Sequence, residues 1–169
     1  LSAVVKTHKN ELVRAKICQA LAMGSFACGQ DASDAWLVLS LIEGVMSAPT
    51  ATAQLLVPAL AAWALLVSSM PDSFVFERVR RLLAVLDTEG ASLLEHENVD
   101  VRVAAGDAAS GVYEACWRYS PAEARKVLQD MCDDDEEEHH SHEHQPAAAH
   151  HAERQEEMSD FEKFAAKVE

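Results

Sequence analysis

From residue 10 to residue 131, apolar side chains return every three to four positions almost without a break, and strict two-residue alternation is nearly absent. Residues spaced that way line one side of an α-helix, so the pattern confines the chain to helices packed on helices. Apolar types make up 49% of the 169 residues, enough for a substantial core. An all-α domain over residues 1–132 is the expected body of the chain.

Local signals divide that body. A first helix is expected over Asn10–Phe26, with Leu12, Ala15, Cys18 and Ala22 inward and Gly24 and Gly29 near its end. Asp31 is an N-cap candidate for a second helix running to about Ser47, with Asp34 in its first turn. Its inward stripe is read as Leu37, Leu41, Val45 and Ala48, flanked by Trp36 and Leu39. Thr50–Ser69 is the most apolar segment, and Pro58 should split it into a short helix, a kink and Ala59–Ser68. Within it Leu60, Trp63, Ala64 and Val67 have the spacing of a buried face, which makes this the central helix.

Met70-Pro-Asp-Ser73 reads as a turn whose Ser73 caps a helix with Val75, Val79, Leu82 and Leu86 on one face. Further on, Asn98 or Asp100 should cap a helix with a stripe of Val101, Ala104, Ala105, Ala108 and Val112. Most of that stripe is small, and small side chains let neighbouring helices approach closely, as stacked repeats require. Ser120-Pro-Ala-Glu123 opens a last helix with capping-box spacing and Pro at its first position. About six helices joined by short turns point to an armadillo/HEAT-like α-solenoid, with a plain orthogonal bundle as the alternative.

Two strings in this pattern resemble a known family. Pro58-Ala-Leu-Ala-Ala-Trp-Ala-Leu-Leu66 and Asp100-Val-Arg-Val-Ala-Ala-Gly-Asp107 are similar in order and spacing to the interferon-related developmental regulators, over most of residues 9–131. The resemblance implies an armadillo-like domain in a non-enzymatic regulator. It also implies as partners histone-deacetylase corepressor complexes, translationally inactive ribosomes, or both, with action in nucleus, cytoplasm, or both. The family's helical domain leads into a more basic segment with an aromatic residue; the nearest match, Ser159-Asp-Phe-Glu-Lys-Phe164, carries only Lys163.

Charge is unevenly placed. Residues 1–132 hold 15 acids and 11 bases, a net of −4, whereas 133–157 hold 10 acids and one Arg, a net of −9. Such a balance argues against direct nucleic-acid binding, which depends on Lys and Arg releasing phosphate counterions. Residues 133–157 have too little apolar area to offset ordering entropy and are expected to be a disordered acidic, His-rich linker. Its His139, His140, His142 and His144 are candidate Zn²⁺ or Ni²⁺ ligands; a solvated low-complexity linker is the plainer reading. Residues 158–169 read as a short amphipathic helix presenting Phe161 and Phe164, either a docking element or the start of another domain.

Candidate partner-binding residues in the body are Arg78, Arg81, Arg102 and Asp107, with Arg80 beside them, set against the alternative of a solvated helix face. The core candidates are Leu60, Trp63, Val67, Val101, Ala104, Ala105 and Ala108; Trp36, Trp63 and Trp117 are all expected to anchor helices. Cys18, Cys28 and Cys116 fall in apolar helical stretches and read as small buried hydrophobes, and no C-x-x-C pair suggests zinc or a disulfide.

No nucleophile elbow, phosphate loop or H-E-x-x-H string occurs, so neither an enzyme nor a cofactor is expected. The longest apolar run, Leu55–Val67, is short of the roughly 20 residues that span a bilayer, and no leader is recognisable, so no membrane partner is expected. Leu1 and the last residues read as ends cut from a longer protein. The leading function is macromolecular binding in transcriptional or translational control. The alternatives are a metal- or pH-responsive His-rich module and a HEAT-type regulatory subunit of a larger enzyme.

Overall fold

The structure is a computed structural model that describes residues 8–29, 31–87, 92–127 and 129. Among these, every regular element is a helix. They are α1 (Glu11–Cys28), α2 (Ala32–Met46), α3 (Ala53–Ser69), α4 (Asp72–Phe76), α5 (Val79–Leu86) and α6 (Val99–Tyr119), followed by α7 over 121–127. The two readings for residues 133–157 and 158–169 lie outside the described residues, as do His139, His140, His142, His144, Phe161 and Phe164.

Three helices begin where a short polar side chain can take the orphan N–H groups of the first turn. Asn10 Oδ1 accepts from Leu12 N–H at 2.9 Å, Asp31 Oδ1 from Ser33 and Asp34 at 2.9 and 3.0 Å, and Asn98 Oδ1 from Asp100 and Val101 at 2.9 and 3.3 Å. Each such cap stabilises its helix by about 1 kcal/mol. At the far end of α1, Gly29 adopts φ 60°, a left-handed conformation that costs glycine little, and donates its N–H to Phe26 O. Helix α3 is capped from a distance. Glu11 of α1 accepts both the backbone N–H and the hydroxyl of Thr52, placing a carboxylate at the positive end of α3.

The close helix pairs fall into two groups of three. Helices α1, α2 and α3 pack on one another, α4, α5 and α6 do likewise, and α3 packs on α6 to join the groups. The joining contact is the apolar spine. Leu55, Leu56, Ala59, Leu60, Ala62, Trp63, Leu66 and Val67 of α3 are buried, on two sides of the helix, as are Val101, Ala105, Ala108, Ala109, Val112, Ala115 and Cys116 of α6.

Several expectations from the sequence need correcting. Helix α3 runs unbroken through Pro58, the sixth residue of the helix, so the missing N–H deprives only the Gln54 carbonyl in the first turns while burial on both sides holds the rest. The expected Ser73 cap is replaced by Pro71 at the N-cap, and the single helix expected after it is broken at Glu77-Arg78 into α4 and α5. Val75, Val79, Leu82 and Leu86 are nonetheless all buried.

The inward stripe of α2 is Ala35, Leu39, Ile42, Val45 and Met46; of the expected set Val45 is buried, Leu41 and Ala48 are partly buried, and Leu37 is not. Leu37 lies on the opposite side of the helix and is 69% exposed. Helix α2 is apolar nearly all round, so periodicity alone offers several stripes and only packing chooses among them. Leu12 is likewise exposed, because at 3.6 residues per turn it stands roughly 110° from the centre of the buried α1 set. Ala104 sits at the edge of the α6 stripe and is half-buried. Cys28, at the last turn of α1, is exposed. Cys18 and Cys116 are buried, and burial pushes both thiols above the ordinary cysteine pKa, which leaves them unreactive packing residues.

Candidate interaction surface

The gap between α2 and α5 is where exposed polar chemistry concentrates. These two helices are not among the closely packed pairs, and long side chains bridge the space between them. Glu43 of α2 is the hub, its side chain only 11% exposed. One carboxylate oxygen accepts Trp63 Nε1–H at 3.2 Å and the other accepts from Arg81 Nη2 at 3.3 Å. A partly buried carboxylate left without donors would be costly, so the ion pair and the indole together make its position tolerable.

Above that hub two guanidinium groups lie against aromatic rings. Arg81 Cζ is 4.4 Å from the Trp36 ring centre, and Arg78 Cζ is 3.7 Å from Phe74 and 5.5 Å from Trp36. Trp36 and Phe74 meet edge to face at 5.7 Å. Arg78 also donates to Phe74 O at 3.3 Å and to Glu77 at 3.0 Å. Cation–π contact holds these guanidinium groups against the rings, while the Arg81 side chain stays 55% exposed.

Beside the rim is a cavity of about 710 Å³ lined mainly by apolar atoms. Met46, Ala48, Pro49 and Leu56 line one side, and Ala84, Val85 and Leu93 the other, with Glu43, Arg81, Ser92 and His96 supplying polar groups. The Ser92 hydroxyl is shut off from solvent and has no hydrogen-bond partner. His96 Nδ1 accepts the Asn98 backbone N–H at 3.0 Å, so in the neutral ring the proton sits on Nε2.

Of the candidate residues, Arg78 and Arg81 come together at this rim. Arg102 and Asp107 stay apart from this rim and from each other. The Arg102 guanidinium donates to the backbone oxygens of His96 (2.8 Å) and Glu97 (3.2 Å), which pins the 92–96 turn to α6, and Asp107 stands exposed elsewhere on that helix. The reason is reach: five residues apart on a helix, the two side chains leave on different faces. Leu60, Trp63, Val67, Val101, Ala105 and Ala108 are buried, with Ala104 as noted.

Trp117 is 49% exposed rather than an anchor, since it projects from the side of α6 opposite the buried stripe; Arg125 lies 5.9 Å from its ring. Trp36 is half-buried and Trp63 fully buried. Trp36, Phe74, Glu43, Ser92 and His96 were not singled out by sequence as members of one site. They are up to 60 positions apart (36 to 96), and no local pattern links them. Among the described residues, no group of three or more His, Cys, Asp or Glu side chains could hold a metal, and no helix is long and apolar enough to cross a membrane.

The family model for the interferon-related developmental regulators (IFRD) matches residues 1–166, nearly the whole chain. The chain belongs to that family. Among similar proteins is Interferon-related developmental regulator 2 of Mus musculus, 29% identical over 126 residues, which cover 68% of this chain. The match covers 28% of that relative, so this IFRD chain spans under a third of its length. No solved structure matches it.

Proposed function

We propose that this IFRD chain is a stretch of an armadillo-like repeat that regulates by binding other macromolecules, without chemistry of its own. Support for the repeat reading is the grouping of helices in threes, with α3 and α6, the third of each group, joining one group to the next. Repeats cannot bury their apolar faces alone and gain stability by stacking, which is the role of that contact here. The observation that carries the functional reading is family membership across residues 1–166, for a family whose name describes regulators.

The partners are a corepressor complex containing histone deacetylase, the ribosome, or both, acting in nucleus or cytoplasm. Affinity purification of the full chain from cells should recover deacetylase-corepressor subunits or ribosomal subunits above a charge-matched control. Recovery of neither would remove this reading while leaving the fold untouched.

A further inference from the structure

We propose that the groove between α2, α5 and the 92–96 turn is a docking site for a short protein segment that carries one or two acidic residues next to an apolar side chain. This rests on the reading of the chain as a binding regulator and names the surface and the chemistry of its occupant.

Size and lining fit that class of ligand. A cavity of about 710 Å³ takes a few residues of peptide, and the floor of Met46, Leu56, Val85 and Leu93 suits an aliphatic side chain. Charge complementarity selects the acidic neighbour. Among the described residues Glu43 is the one carboxylate lining the groove, and both its oxygens are already engaged, by Trp63 and Arg81. Arg81 lines the groove with its guanidinium held 4.4 Å from the Trp36 ring centre and its side chain 55% exposed, so one cation stands in place before any ligand arrives, while Arg78, paired with Glu77, stays outside the lining. Arg81 donates to Glu43 from Nη2, and a guanidinium has further N–H groups able to receive a second carboxylate. Pre-ordering lowers the entropy cost of binding.

One further group serves the backbone of the occupant. His96 lines the groove and, with Nδ1 taken by the Asn98 N–H, offers a donor at Nε2 when neutral. A basic ligand would face Arg81 directly.

The test uses the ¹⁵N-labelled full chain and two synthetic octapeptides, SDDLLVLS and its charge-reversed form SKKLLVLS. The acidic peptide should shift amides of α5, the C-terminal half of α2 and residues 92–96, and should bind about tenfold more tightly than the basic one, the scale of one charge-assisted contact. Arg81→Glu and Ala84→Glu should each weaken it about tenfold. Ala84 is exposed at the groove wall, so the second variant reports on docking even if the first perturbs the Glu43 hub. Equal binding of the two peptides, shifts elsewhere, or occupation of the groove by a single-stranded RNA dodecamer in place of peptide would overturn the proposal. A chain that recovers ribosomal or corepressor subunits from cells yet binds neither peptide would overturn it and leave the regulator reading standing.

Discussion

The two helical groups meet in two ways, and the difference between them teaches which part of the molecule is scaffold and which is surface. At α3–α6 the helices pack closely through alanines, valines and leucines, and almost every inward side chain is buried. At α2–α5 the helices stand apart, and arginine, glutamate and tryptophan side chains reach across. Small residues draw backbones together and shut out water; long ones bridge a gap and leave a groove beside it. Trp63 belongs to both places, buried in the spine and donating its indole N–H to the Glu43 hub.

The most damaging way to break this contrast is at that shared residue. Trp63→Ala should cost about 3–5 kcal/mol in urea denaturation, the range for emptying a large buried site, and should also release Arg81 from its fixed pose. A loss below about 1 kcal/mol would mean the spine closes without it. Next comes packing against the close approach itself. Ala108→Leu should destabilise by about 1–3 kcal/mol because no room exists for the added carbons, whereas Ala104→Leu, at the half-buried edge, should cost less. Equal costs at the two positions would show that α6 is not seated as described.

A smaller effect is expected from Asn98→Ala, which removes the acceptor for the Asp100 and Val101 N–H groups and should cost about 1 kcal/mol in the same assay. Since Arg102 ties the groove turn to the start of α6, that variant should also broaden the amide signals of residues 92–96. The smallest effect concerns pH. Hydrogen bonds from Arg118 (2.8 and 3.1 Å) hold the Asp72 carboxyl below its ordinary value of 3.8. A lowered pKa contributes stability that is fully present above the ordinary value and is lost as pH falls through the lowered one. The stability curves of wild type and Asp72→Asn should therefore differ at neutral pH and converge in acid; parallel curves would remove the pair from the balance.

Much of the scaffold could be read in the sequence because it depends on local chemistry. Asn10, Asp31 and Asn98 sit directly before the turns they cap, and Val101, Ala105, Ala108 and Val112 repeat at helical spacing because one face is buried. Where a helix is apolar nearly all round, as α2 is, the period no longer selects a face, which is why spacing points to Leu37 although it is exposed. Pro58 carried a rule about helix interiors that weighs less near a helix start buttressed on two sides. The rim was only half visible. Arg78 and Arg81 lie off the apolar stripe and could be flagged, but their partners Trp36 and Glu43 come from another helix, and only folding reveals the pairing.

Hydrogen–deuterium exchange of the full chain, read peptide by peptide, tests most directly whether α3–α6 is the closed spine and α2–α5 the open side. The slowest amides should be those of Leu55–Val67 and Val101–Cys116, exchanging only on global unfolding, while α5 and residues 92–96 exchange sooner. If α6 exchanged as fast as the 92–96 turn, the spine would not be where the buried residues put it.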